Sequence, residues 1–126
     1  MATARILVVD DNDAIRSVVT QMLSSLGYEV SAADGGENGL NVFLKNNFDI
    51  VLSDYEMPGM DGVALAWRIK QYSPAVAVVI MTGSGQASMI TGKISAVDEV
   101  IAKPFSMDEL DGTIRNLHGN VFRAYP

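Results

Sequence analysis

Four short pieces of this chain carry side chains that could act together. They are the adjacent carboxylates Asp10 and Asp11, the carboxylate Asp54, the hydroxyl of Thr82 and the ammonium of Lys103, which precedes Pro104. Each stands at or just beyond the end of an apolar, β-branched run: residues 6–9 (Ile-Leu-Val-Val), 50–53 (Ile-Val-Leu-Ser), 76–81 (Val-Ala-Val-Val-Ile-Met) and 100–102 (Val-Ile-Ala). If those runs are neighbouring parallel strands, all four pieces meet at one end of one sheet, the end at which open α/β sheets bind ligands. An acidic cluster, a hydroxyl and an ammonium gathered there suit a divalent cation and a phosphoryl group held side by side.

A hard cation such as magnesium takes oxygen ligands, keeps several waters and is usually held by one or two carboxylates plus phosphate oxygens. Three neighbouring carboxylates repel one another, so keeping all of them ionised makes sense when a cation neutralises them. Asp54 ends a run buried on both faces, where a carboxylate is costly unless its charge is compensated. Such a group can also serve as a nucleophile that forms an aspartyl-phosphate. Thr82 can donate to a phosphoryl oxygen and Lys103 can set a compact positive charge beside another, and phosphoryl transfer rests largely on such positioning. Taken singly, Asp10 or Asp11 also reads as the cap of a following helix, Thr82 as a strand-end threonine and Lys103 as a solvated lysine. Their order and positions together carry the inference.

The elements that must position these groups follow from the spacing of apolar residues. After the first strand, Asp13 can cap a helix whose apolar positions are Ile15, Val18, Val19, Met22, Leu23 and Leu26, and Gly27 can end it. Residues 29–33 read as a short strand. Asp34-Gly35-Gly36 reads as a turn before a helix carrying Leu40, Phe43 and Leu44, closed by Asn46-Asn47. The stretch from Phe48 to Ser53 suits a doubly buried strand, and Tyr55 to Gly62 holds the turn residues Pro58, Gly59 and Gly62. Asp61 can cap a helix that buries Val63, Leu65, Ala66, Trp67 and Ile69, and Pro74 ends that region. Gly83, Gly85 and Gly92 weaken any helix after Thr82, so only a short one is expected around Ala87 to Ile94. The last strand ends at Lys103, and a final helix carries Leu110, Ile114 and Leu117. Strand and helix thus alternate five times, the pattern of an α/β fold with a doubly wound parallel sheet covered by helices on both faces.

The 126 residues fit a single domain, long enough to bury roughly two thirds of the surface that the unfolded chain would expose. That domain is expected over residues 1–118, with 119–126 as a C-terminal tail or the start of a linker. Nine basic against fifteen acidic residues give a net charge of −6, which opposes direct binding to nucleic acid or an anionic membrane. Without cysteine, disulfides, thiolate chemistry and cysteine-bound zinc are excluded. No apolar run approaches the roughly 20 residues of a membrane span, and no secretory signal pattern opens the chain, so a cytoplasmic protein is expected. The single histidine, His118, reads as a solvated residue at a helix end, where a cation is favoured.

The blocks Val8-Val9-Asp10-Asp11-Asn12, Asp54-Tyr55-Glu56-Met57-Pro58-Gly59-Met60-Asp61-Gly62, Met81-Thr82 and Lys103-Pro104-Phe105 resemble the receiver domain of two-component response regulators. The resemblance runs from about Arg5 to Leu117, and the Asp54 to Gly62 block is highly specific. It implies a five-stranded, flavodoxin-like sheet. It implies that Asp54 is the phosphoacceptor, charged by a histidine kinase or a histidine phosphotransfer protein, in a protein that is not a conventional turnover enzyme. It further implies a Mg site in which Asp11 and Asp54 bind the ion directly, Asp10 through water and Glu56 through its backbone carbonyl. Thr82 and Lys103 would contact the phosphoryl oxygens, the N–H groups of Glu56 and Gly83 would add donors, and the Lys103–Pro104 bond would be cis. Phosphorylation would then bias a two-state equilibrium after Thr82 and in the last strand and helix, controlling a partner or output domain.

Two positions depart from that pattern. Where the family usually has an aromatic residue three places before the lysine, this chain has Val100, whose short, stiff side chain cannot make the aromatic swing. Switching is therefore expected to rely on backbone movement between Gly83 and Ile94. Glu56, two residues after the acceptor, is expected to pair with Lys103 or to act on the hydrolytic water, altering the lifetime of the phosphorylated form. Lys93, Asp98, Glu99 and Arg115 offer surface charges for a homodimer contact. A phosphatase of the haloacid-dehalogenase type would use Asp54 as nucleophile and Glu56 as acid, but needs its nucleophile on the first strand of its motifs and a cap. A decayed scaffold would lack one of the site residues, and a flavin site would not open on Asp10-Asp11-Asn12, whose charges repel a cofactor phosphate.

Overall fold

A computed structural model of the chain describes residues 3–83, 90 and 94–121. Strands β1 (Arg5–Val9), β2 (Glu29–Ala33), β3 (Ile50–Asp54), β4 (Ala77–Thr82) and β5 (Glu99–Ala102) alternate with helices α1 (Asp13–Ser25), α2 (Gly36–Lys45), α3 (Gly62–Tyr72) and α4 (Met107–Val121). The strands form one parallel sheet in the order β2-β1-β3-β4-β5. This is the doubly wound arrangement expected from the alternation. The chain leaves β1 toward β2 and returns to β3 on the other side, so the order reverses between β1 and β3.

Burial on both faces explains why the central strands are almost purely apolar. One face packs Leu7, Val9, Val51, Val78 and Ile80 against Leu40 and Phe43 of α2 and Leu65, Ala66 and Ile69 of α3. The other packs Ile6, Val8, Ile50, Leu52 and Val79 against Val19 and Leu23 of α1 and Leu110 and Ile114 of α4. Gly39 lets α2 approach the sheet closely, because a Cβ there would lie 2.9 Å from a Val9 methyl.

Helix ends follow capping chemistry, with one correction. The cap of α1 is Asn12, whose side chain accepts from the Ile15 N–H, while Asp13 is the first helical residue. Asn caps as well as Asp, and Asn12 stands where the chain is still extended. Gly27 follows α1 with φ +96, a left-handed conformation that suits glycine. Asp61 caps α3 through the Ala64 N–H, and α3 stops at Tyr72, two residues before Pro74.

Trp67, expected to be buried, is 48% exposed, and two apolar helix positions, Leu44 and Val18, are 48% and 50% exposed. Trp67 sits about 200° around the helix from Leu65 at about 100° per residue, outside the arc that Leu65, Ala66 and Ile69 turn to the sheet. The short helix expected around Ala87 to Ile94 and the side chain of His118 lie outside the described residues, apart from Ile90, which is buried, and Ile94. Helix α4 continues to Val121. Asp98, expected as a free surface charge, instead accepts from Lys70 Nζ and from the Val78 N–H, both at 2.7 Å. Among the described residues no helix is long and apolar enough to cross a membrane.

Candidate functional site

The strand register brings the predicted residues together. Val9 lies beside Ser53, Asp54 beside Met81, and Thr82 beside Ala102. Asp10 therefore leaves β1 next to Asp54, and Lys103 leaves β5 next to Thr82. Asp10, Asp11, Asp54, Glu56, Gly83 and Lys103 line one cleft of about 450 Å³, located where the sheet order reverses. Lys103 and Pro104 are joined by a cis peptide bond.

One carboxylate oxygen from each of Asp10, Asp11 and Asp54 falls within a sphere of mutual distances no greater than 4.8 Å. Asp10 is fully buried and Asp11 is exposed. The Asn12 N–H donates to Asp10 Oδ1 at 2.9 Å, whereas Asp10 Oδ2 is buried with no hydrogen-bond partner. A buried polar atom without a partner is costly, and water bound to a cation in the cleft would remove that cost. Burial raises the Asp10 pKa above its ordinary value; the Asn12 N–H opposes the rise, and the negative charge of Asp54 adds to it. The donor set is all oxygen, which suits magnesium over softer metals.

Lys103 Nζ donates to Asp54 Oδ1 at 2.9 Å, with both side chains largely buried. Thr82 is fully buried, and its Oγ1 is the second buried side-chain oxygen without a partner among the described residues. Thr82 directly precedes Gly83 of the cleft lining, and a hydroxyl in that state has a donor proton to offer an anion that reaches it. The backbone of Asp54 is held from two sides. Ser53 Oγ donates to its carbonyl oxygen at 3.0 Å, and a Cβ on Gly62 would overlap that same oxygen and lie 3.1 Å from the carbonyl carbon. Gly62 thus permits α3 to start directly against the acceptor strand.

Arg16 was not singled out by the sequence reading. It donates from Nη1 to the Asp10 carbonyl at 2.9 Å and from Nη2 to Asp13 Oδ1 at 2.6 Å. A side chain bonded to a backbone carbonyl leaves no residue-type pattern to detect, although the i,i+3 Asp13–Arg16 pair was visible. Beside the cleft, Ile15, Val18 and Met22 of α1 and Pro104 and Phe105 of the turn after β5 form an apolar groove of about 410 Å³ that shares Lys103 with the acidic cleft.

Comparison with known proteins agrees with this geometry. Residues 6–115 match the sequence model of the family described as response regulator receiver domain. The chain is 33% identical over 124 residues to a probable transcriptional regulator, ycf27, of Porphyridium aerugineum, covering 98% of this chain and 52% of that protein. It is 41% identical over 110 residues to the sensor histidine kinase RcsC of Salmonella typhi, covering 86% of this chain and 12% of that protein. The chain therefore spans about half the length of the first and a small part of the second. The crystal structure of the response regulator protein TrrA from Thermotoga maritima, in complex with Mg(2+)-BeF, superposes with a TM-score of 0.81 at 35% identity, covering 91% of this chain and 99% of that one.

Proposed function

Since the chain belongs to the response regulator receiver domain family and so has a phosphoacceptor role in two-component signalling, we propose that Asp54 is the accepting side chain. The observation that carries this reading is the Asp54 Oδ1 to Lys103 Nζ contact of 2.9 Å, flanked by the unpartnered oxygens Thr82 Oγ1 and Asp10 Oδ2. In the reaction, an Asp54 carboxylate oxygen forms a bond to phosphorus as the bond from phosphorus to the donor's imidazole nitrogen breaks. The imidazole leaves neutral when its other ring nitrogen carries a proton. Lys103 moves from the carboxylate to a phosphoryl oxygen, Thr82 donates its hydroxyl to another, and the N–H groups of Glu56 and Gly83 add donors.

Magnesium suits the site, and the residues that would hold it are Asp11 and Asp54 directly, Asp10 through water, and the Glu56 carbonyl. When bound, it supplies neutralisation of the charge that builds up between carboxylates and phosphoryl oxygens. Asp10, already paired on one oxygen by the Asn12 N–H, keeps the other without a partner.

The phosphodonor is a phosphohistidine on a histidine kinase or a phosphotransfer protein. The apolar groove of α1 and the turn after β5 supports this, because it adjoins the cleft and exposes half of Val18. An apolar helix face laid there would present a histidine at the cleft mouth. With Val100 in place of an aromatic residue, the response passes through the backbone from Gly83 onward to a partner or output segment. The domain is taken to occupy residues 1–118, with 119–126, whose first three residues prolong α4, as tail or linker.

The deciding experiment is incubation with magnesium and a small phosphodonor such as acetyl phosphate, followed by intact mass. Wild type gains one phosphoryl group and Asp54→Asn gains none. Absence of the adduct in wild type, or its presence in Asp54→Asn, rejects the assignment. Continuous turnover of a phosphomonoester favours a phosphatase instead.

A further inference from the structure

We propose that Arg16 is a positioning residue for the cation ligands Asp10 and Asp11, acting through the backbone carbonyl at which β1 gives way to the loop. The inference rests on the reading of that cleft as a magnesium site and goes beyond it by assigning a role to a residue outside the cleft's lining. Arg16 lies in the first turn of α1, one turn after the cap Asn12. A cation in that position works against the helix dipole, whose N-terminal end is positive. Its side chain is nonetheless mostly buried, at 22% exposure, so the local contacts must offset both the dipole and the desolvation.

Those contacts form a fork. Nη1 donates to the Asp10 carbonyl at 2.9 Å and Nη2 to Asp13 Oδ1 at 2.6 Å. The Asp13 leg is an ion pair with an 89% exposed carboxylate, worth little by itself. The Asp10 leg is a charge-assisted bond to a carbonyl of a fully buried residue, which is the stronger kind. The rest of the loop closes around it. The Asp10 N–H donates to Ala33 O at 3.2 Å, the Asn12 N–H to Asp10 Oδ1 at 2.9 Å, and the Arg16 N–H to Asn12 O at 2.9 Å. Arg16 thus bonds both ends of the segment that carries Asp10 and Asp11, with its side chain at the first residue and its backbone at the third.

Positioning and simple electrostatics predict opposite signs. If Arg16 acted only as a charge near the cluster, removing it would relieve repulsion of an incoming cation and magnesium would bind more tightly. If it holds the ligands in place, removing it weakens binding, and partners that orient metal ligands typically matter by about tenfold or more.

The test is a magnesium titration of wild type, Arg16→Ala, Arg16→Lys and Asp13→Ala, read from the Asp10 and Asp11 amide resonances and from the ion-dependent rise in melting temperature. Arg16→Ala is expected to raise the magnesium Kd about tenfold or more. Arg16→Lys, which keeps the charge and one donor, should fall between it and wild type, and Asp13→Ala should stay within about twofold, as an exposed pair implies. Unchanged or tighter binding in Arg16→Ala overturns the proposal. Should that variant not fold, Arg16→Lys decides: weaker binding than wild type supports the role and equal or tighter binding removes it. Failure of wild type itself to bind magnesium rejects the underlying site, and this role with it.

Discussion

Lys103 Nζ holds Asp54 Oδ1 at 2.9 Å across a parallel sheet, joining residues 49 positions apart in the chain. The pair sits beside two further carboxylates, so Lys103 is the nearest compensation for the cluster before a cation arrives. Transfer must break this contact and remake it to a phosphoryl oxygen, where the ammonium faces charge that develops only as the reaction proceeds.

Replacing Lys103 by Ala should therefore slow phosphorylation of Asp54 by a small donor about a hundredfold or more, the range lost with one electrostatic stabiliser. Arg in its place should not restore the rate, since a planar fork cannot occupy the position of a compact ammonium. Initial rates by intact mass at saturating magnesium check both. A Lys103→Ala rate within severalfold of wild type contradicts the assigned role.

Asp10→Asn should stabilise the protein in chelator and abolish most of its stabilisation by magnesium. Burial raises the Asp10 pKa in the folded state above the ordinary value of 3.8. A raised carboxyl pKa contributes stability that is full below 3.8 and is lost as pH rises through the folded value, so at neutral pH the ionised group opposes folding. The melting temperature of Asp10→Asn minus that of wild type should accordingly grow as pH rises from about 4 toward 7. Thermal melts across that range, with chelator and with magnesium, measure it. A difference that shrinks with pH would contradict the sign.

Gly62 and Gly112 should respond oppositely to alanine. A Cβ on Gly62 overlaps the Asp54 carbonyl, while one on Gly112 in α4 meets nothing within 4 Å. Gly112→Ala should stabilise by about 0.5–1 kcal/mol, the helix-interior difference between the two residues. Gly62→Ala should destabilise by about 1–3 kcal/mol, as overpacking does, and depress phosphorylation in the molecules that remain folded. Denaturant midpoints and phosphorylation rates of both variants test the contrast.

The central strands were legible because burial on both faces leaves an unbroken apolar run with a polar residue at its end, as in Ile50 to Asp54. Caps at Asp61 and stops at Gly27 and Pro74 were legible because they act within a few residues. Trp67 was misjudged because apolarity was read without helical phase: it lies on the side of α3 turned away from Leu65. Val18 keeps the helical spacing of Ile15 and Met22, but that stripe lines a groove rather than the core. Asn12 lost to Asp13 as the expected cap because both types cap well and only backbone geometry separates them. Arg16 and the close approach of Gly62 were missed for a different reason, since both depend on a backbone carbonyl that only the folded chain brings near.

Glu56 lines the same cleft as Asp54 and Lys103, and its side chain is exposed. A carboxylate at that rim can accept a hydrogen bond from the water that attacks the aspartyl-phosphate, orienting it toward phosphorus. Glu56→Ala should then slow dephosphorylation severalfold, short of the roughly hundredfold contribution of a fully aligned general base. Glu56→Gln separates the two ways the side chain can act. Retention of the wild-type rate in Gln points to water orientation by the remaining acceptor oxygen, and a rate matching Ala points to the charge. The decay of phosphorylated protein after donor removal, followed by mass, gives all three rates. Equal rates for wild type and Glu56→Ala eliminate any part for this residue in the lifetime of the signal.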